Sequence, residues 1–156
     1  MKKGVLMYIT DLFPPHDKGG AEIVAYNEAI GMARRGFSVK VVTVSLKRSL
    51  KIRKRKLEGK GIEVYEIPTL GSLLPQRPRF ATKPIRILLA LFDPLSYLFI
   101  KRIVHKEKPC IVHVHNIPLL SFGVSRAVRP PTKFVQTYHC YIYECPKGGL
   151  LRKWTS

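Results

Sequence analysis

The order of the first four segments constrains the fold most: an apolar run, a loop of prolines and glycines, a helical repeat and a β-branched run. Val5-Leu6-Met7-Tyr8-Ile9 reads as a first strand. Ala21, Ala25, Ala29, Met32 and Ala33 then fall on one face of an α-helix. Arg34-Arg35 suit the negative end of that helix, and Gly36 is placed to leave it in a left-handed turn. Phe37 to Val44 is β-branched and partly alternating, a second strand. Strand, helix and strand make a βαβ unit, whose right-handed crossover implies a parallel sheet and an α/β fold.

The loop inside that unit, Asp11 to Glu22, is the first candidate site. Pro14 and Pro15 stop both strand and helix. Gly19 and Gly20 let the backbone turn and bring its N–H groups close to a ligand at the start of the next helix. Open α/β sheets hold phosphates and sugars in the crevice at their carboxyl edge, where this loop lies. An ordinary connection using glycine for tightness is the other reading. A dinucleotide oxidoreductase is excluded, because no G-x-G-x-x-G follows the first strand.

Residues 47–60 form a basic insertion with no carboxylate before Glu58, expected in solvent or against an anion. Ile62 to Ile67 alternates as a third strand, and residues 69–84 read as an irregular, proline-rich connection. Residues 85–104 have about the length of a membrane span. Arg86 and the central Asp93-Pro94 instead favour two helices, or one kinked at Pro94, covering the sheet. The strand Cys110 to Asn116 puts His113 and His115 on one face, with His115 and Asn116 at its carboxyl end. A short helix over 118–128 precedes a fifth strand, 133–138, which His139 follows. Gly19, Gly20, Asn116 and His139 are therefore expected at one edge of the sheet.

At 156 residues the chain fits one domain. Its 28 Lys and Arg against 10 Asp and Glu give a net charge of +18, a surface that attracts phosphate in some form. No nucleic-acid-reading motif is present and the aromatics are not interleaved with the basic run, so nucleic acid is not the expected partner. Three cysteines and no secretion signal point to a reducing, cytoplasmic setting, with the basic loops able to meet an anionic inner membrane face. His113, His115, His139, Cys140 and Cys145 suggest a zinc set, but Cys-x4-Cys is wider than structural spacings and no second cysteine pair exists. No metal is expected, and His113 reads as a hydrogen-bonded core residue.

Four pieces in this order resemble the retaining glycosyltransferases of family 4. They are Phe13-Pro14-Pro15-His16 with Gly19-Gly20-Ala21-Glu22, then Ala33-Arg34-Arg35-Gly36-Phe37-Ser38-Val39-Lys40-Val41-Val42-Thr43. Lys108-Pro109-Cys110-Ile111-Val112-His113-Val114-His115-Asn116 follows, and then Thr137-Tyr138-His139 with Cys145-Pro146-Lys147-Gly148. The resemblance is to the N-terminal half of the two-domain GT-B fold, a Rossmann-like parallel sheet with helices on both faces. It implies that residues 1–156 are an acceptor-side domain facing a second Rossmann-like domain that holds most of a nucleotide-sugar.

The resemblance further implies that Gly19 and Gly20 present backbone N–H groups to the donor's diphosphate and the acceptor. His139 would be the catalytic residue, binding a hydroxyl of the transferred sugar, while Glu22 is a helix-start residue. Net retention at the anomeric carbon, a nucleoside diphosphate leaving group and no cofactor or metal are what such a site needs. The acceptor is a sugar or a lipid-linked, anionic molecule. Cys140 stands where family members often carry an Asp after the histidine. The family's second domain does not occur before Ser156, so the chain alone is expected to be inactive. The rival reading is a non-catalytic basic module for anionic membrane or nucleic acid.

Overall fold

The computed structural model describes residues 3–16, 19–57, 59, 61–74, 83–115, 117 and 119–139. Six strands form one sheet: β1 (Lys3–Ile9), β2 (Phe37–Val44), β3 (Arg53–Leu57), β4 (Ile62–Ile67), β5 (Ile111–Val114) and β6 (Lys133–Gln136), in the order β3-β4-β2-β1-β5-β6. Four helices accompany them: α1 (Gly20–Arg34), α2 (Leu70–Leu73), α3 (Lys83–Leu91) and α4 (Pro94–Glu107). A 3₁₀ turn over Phe122–Ala127 stands where the sequence suggests a longer helix.

Strand alternation divides the core into two layers. Leu6 and Tyr8 of β1 join Val39, Val41, Ile62 and Val64 beneath Ala29 and Ile30 of α1. Met7 and Ile9 face the other way, with Val42, Val44 and Ile67, against Ile100, Ile103 and Val104 of α4 and Val124 and Ala127 of the 3₁₀ turn. The result is an α/β sheet covered on both faces. α1 ends as expected: the Gly36 N–H donates to the Ala33 carbonyl at 3.0 Å and Gly36 adopts φ +88°, a value that favours glycine.

One stretch differs from the sequence reading and another follows it. Residues 47–60 are not only a solvated loop, because Arg53–Leu57 forms β3, an antiparallel edge strand on β4. Its charges find partners on the next strand, not within the run: Lys54 Nζ is 2.9 Å from Glu63, Arg55 Nε is 2.9 Å from Glu66, and Arg53 is 3.6 Å from Glu66. The sheet is therefore parallel everywhere except at this edge. The apolar stretch resolves into two helices, with Asp93 between them. Asp93 Oδ1 accepts the N–H groups of Leu95 and Ser96 at 2.9 and 3.0 Å, capping α4 ahead of Pro94 at its first position. Among the described residues no helix is long and apolar enough to cross a membrane.

Candidate functional site

From β1 the chain moves outward through β2 to the β3–β4 hairpin, then crosses back to lay β5 and β6 on the other side of β1. The order therefore reverses between β1 and β5. In open α/β sheets the crevice outside the carboxyl ends at such a reversal receives ligands. Asp11, just past β1, ties the two sides together. Its buried carboxylate Oδ1 accepts the N–H groups of Leu119 and Leu120, after β5, at 2.9 and 3.1 Å. Its carbonyl accepts the Thr43 hydroxyl at 2.9 Å and the Val44 N–H at 3.0 Å from the end of β2. Burial pushes the Asp11 carboxyl up to about 8, against the pull of the two N–H donors and with a small push from Glu22.

The start of the loop beyond Asp11 is held at two adjacent residues. Phe13 is buried in the α1 layer, and the Arg55 guanidinium of β3 donates to the Pro14 carbonyl. Gly19 is the N-cap of α1 with extended backbone and no side-chain cap, and Gly20 opens the helix; both are exposed. First-turn N–H groups of such a helix have no carbonyl of their own turn to bond and carry the positive end of its dipole. A Cβ at Gly19 would stand 3.0 Å from the Glu22 carboxylate, whereas one at Gly20 would meet nothing within 4 Å among the described residues.

Three histidines line the α1 face at the end of β5 and β6. His113 Nε2 is 2.7 Å from Thr137 Oγ1, and His115 Nδ1 is 2.9 Å from His139 Nε2. The His115 and His139 rings stack with centroids 5.2 Å apart, and the His113 and His115 centroids are 4.3 Å apart. Tyr8 of β1 lies against both, at 5.5 and 6.0 Å, its hydroxyl pushed up to about 12 by burial and the nearby Glu28. Glu28, on α1, brings Oε2 to 3.2 Å from His113 Nδ1 and 3.6 Å from His115 Nε2. One ligand atom from each of Glu28, His113 and His115 lies within 4.8 Å of the others.

Of the residues expected at the carboxyl edge, Gly19 and Gly20 follow β1 and His139 follows β6. His113 is the hydrogen-bonded residue beside the sheet that its position suggests. Asn116, Cys140 and Cys145 lie outside the described residues. Sequence reasoning missed Asp11 and Glu28. Asp11 carried a signal, an acidic residue directly after a buried strand; Glu28 carried none, since its partners are far away in the chain.

The sequence model of Glycosyltransferase Family 4 matches residues 18–156. Among solved structures, the fold is similar to sucrose-phosphate synthase from Thermosynechococcus elongatus, with a TM-score of 0.59 and 16% identity. That alignment covers 88% of this chain and 33% of the synthase chain, so this chain spans about a third of that relative's length. No curated protein matches the sequence.

Proposed function

Because the chain belongs to Glycosyltransferase Family 4, we propose that it forms the acceptor-side, Rossmann-like half of a GT-B transferase. The reaction moves a sugar from a nucleoside-diphosphate donor to an acceptor with retention at the anomeric carbon. The observation that carries this reading is the pairing, on either side of the β1–β5 reversal, of an uncapped, glycine-opened helix with a hydrogen-bonded histidine. The exposed first turn of α1, opened by Gly19 and Gly20, directs N–H groups and the positive helix end at the diphosphate. Charge that develops on the leaving group is stabilised there, where fixed dipoles need no reorganisation. His139, its Nε2 occupied by His115, has its other ring nitrogen left to meet a sugar hydroxyl and fix the reacting carbon. Asn116 completes the acceptor side. The nucleotide is held by a second Rossmann-like domain across the cleft, and the donor is a substrate with no cofactor.

Calorimetric titration of a panel of nucleoside-diphosphate sugars tests this, in the chain alone and in the chain joined to that second domain. Saturable binding and transfer are expected only in the joined protein. Turnover by the chain alone, or no sugar binding by either form, would overturn the reading.

A specific observation favours a lipid-linked acceptor and a peripheral position on an anionic membrane face. Ile85, Leu88 and Leu91, at successive steps of three on α3, are 48–65% exposed, and Leu98, Lys101 and Arg102 of α4 are exposed as well. An apolar stripe followed by cations is the composition of a helix face that lies on acidic lipid. The chain is expected to co-sediment with vesicles containing phosphatidylglycerol but not with pure phosphatidylcholine, and Leu88→Glu with Leu91→Glu is expected to release it. Equal recovery with both vesicle types, or no effect of the double substitution, contradicts this.

A further inference from the structure

Two imidazoles and a carboxylate converge at a point that the proposed sugar chemistry does not use. Alternation along β5 turns His113 and His115 to the α1 face, and Glu28 reaches them from α1. The distances from Glu28 Oε2, 3.2 and 3.6 Å, suit adjacent ligands of one ion. A tetrahedral ion with bonds near 2.0–2.1 Å places its ligand atoms about 3.3 Å apart.

Two independent observations point the same way. His115 is completely buried, and its Nε2 has no hydrogen-bond partner among the described residues although it faces the carboxylate. An orphaned nitrogen in the interior is costly unless something occupies its lone pair. Both rings also have their remaining nitrogens engaged, His113 by Thr137 and His115 by His139. Such outer partners fix the ring orientation and tautomer of metal-ligating histidines.

We propose that Glu28, His113 and His115 bind a divalent transition-metal ion of the zinc type, with water completing the coordination on the partly exposed side of Glu28. The imidazoles select zinc-like ions over magnesium or calcium, which demand oxygen ligands. The proposed ligand set does not draw on Cys140 or Cys145. Glu28 is the ligand that the sequence constellation lacked.

Coordination through His115 Nε2 leaves its proton on Nδ1, which then donates to His139 Nε2. The His139 proton in turn sits on Nδ1. The ion is a brace that sets the tautomer of His139 and takes no part in sugar transfer. This consequence alone rests on the proposed role of His139; the site itself does not.

The test uses the full chain, stripped with a chelator and titrated with zinc(II) by calorimetry, with magnesium(II) as the comparison. Saturation at one zinc per chain, a raised Tm with zinc and no response to magnesium are expected. Thr137→Val, which removes an outer partner, should weaken zinc binding roughly 10- to 100-fold, and Glu28→Gln should weaken it more. Glu28 is partly exposed and glutamine matches its size, so this variant is expected to fold, which circular dichroism checks. The Cys140→Ser, Cys145→Ser double variant and His16→Ala should bind as the parent does. No saturable zinc binding, undiminished binding in Glu28→Gln, or loss of binding in the cysteine variant would overturn the site.

Discussion

Asp11 shows how one side chain can fix the geometry of a whole crevice. It accepts two N–H groups from the β5 loop, and its carbonyl takes two more donors from β2. Its carboxyl titrates at 3.8 in ordinary surroundings and at about 8 here, raised chiefly by burial. Between those values the folded chain holds a proton that the unfolded chain has lost, so this group's contribution to stability falls as pH rises from about 4 to about 8. Asp11→Asn keeps an oxygen for both N–H donors and removes the ionisation. Urea unfolding of the parent and Asp11→Asn across that range should show the parent losing stability relative to the variant. A difference that does not change with pH would mean that Asp11 is charged throughout. The acidic residue at the strand end was visible in the sequence, but its partners, more than a hundred residues away, were not.

At the scale of elements, legibility followed locality. β1, α1 and β2 were readable because apolar spacing, loop residues and Gly36 all lie within the segments they shape. β3 was not, because a run of lysines and arginines becomes a strand only where Glu63 and Glu66 lie opposite it. The break between α3 and α4 was readable from Asp93-Pro94, but its wider role was not. Besides capping α4, Asp93 Oδ2 accepts the Leu70 N–H of α2 at 2.7 Å, and the Asp93 N–H donates to Ser121 Oγ at 3.1 Å. Asp93→Ala should cost at least the about 0.5–2 kcal/mol of a lost cap, since the Leu70 N–H loses its acceptor as well. Chemical denaturation measures it, and a loss below about 0.5 kcal/mol would contradict the capping role.

Over the whole molecule, topology points to one edge. The sheet reverses between β1 and β5, and the glycine-opened α1 and His139 stand on either side. The chain as a whole carries a net charge of +18, which favours phosphate-bearing ligands. The candidate site was legible as a set of loops, since parallel strands all present their carboxyl ends at the same edge of the sheet, whatever their order. The packing of Glu28 and His115 was not, because it depends on the rotation of α1 over β5. The most direct measurement is steady-state sugar transfer by the chain joined to the second Rossmann-like domain that the proposed function requires, comparing the parent with His139→Ala. A fall in kcat of about 10²-fold or more with little change in donor affinity is predicted, as for the loss of a group that orients the reacting sugar. Transfer at the parental rate in His139→Ala would contradict the assignment of this edge as the site where the sugar is held.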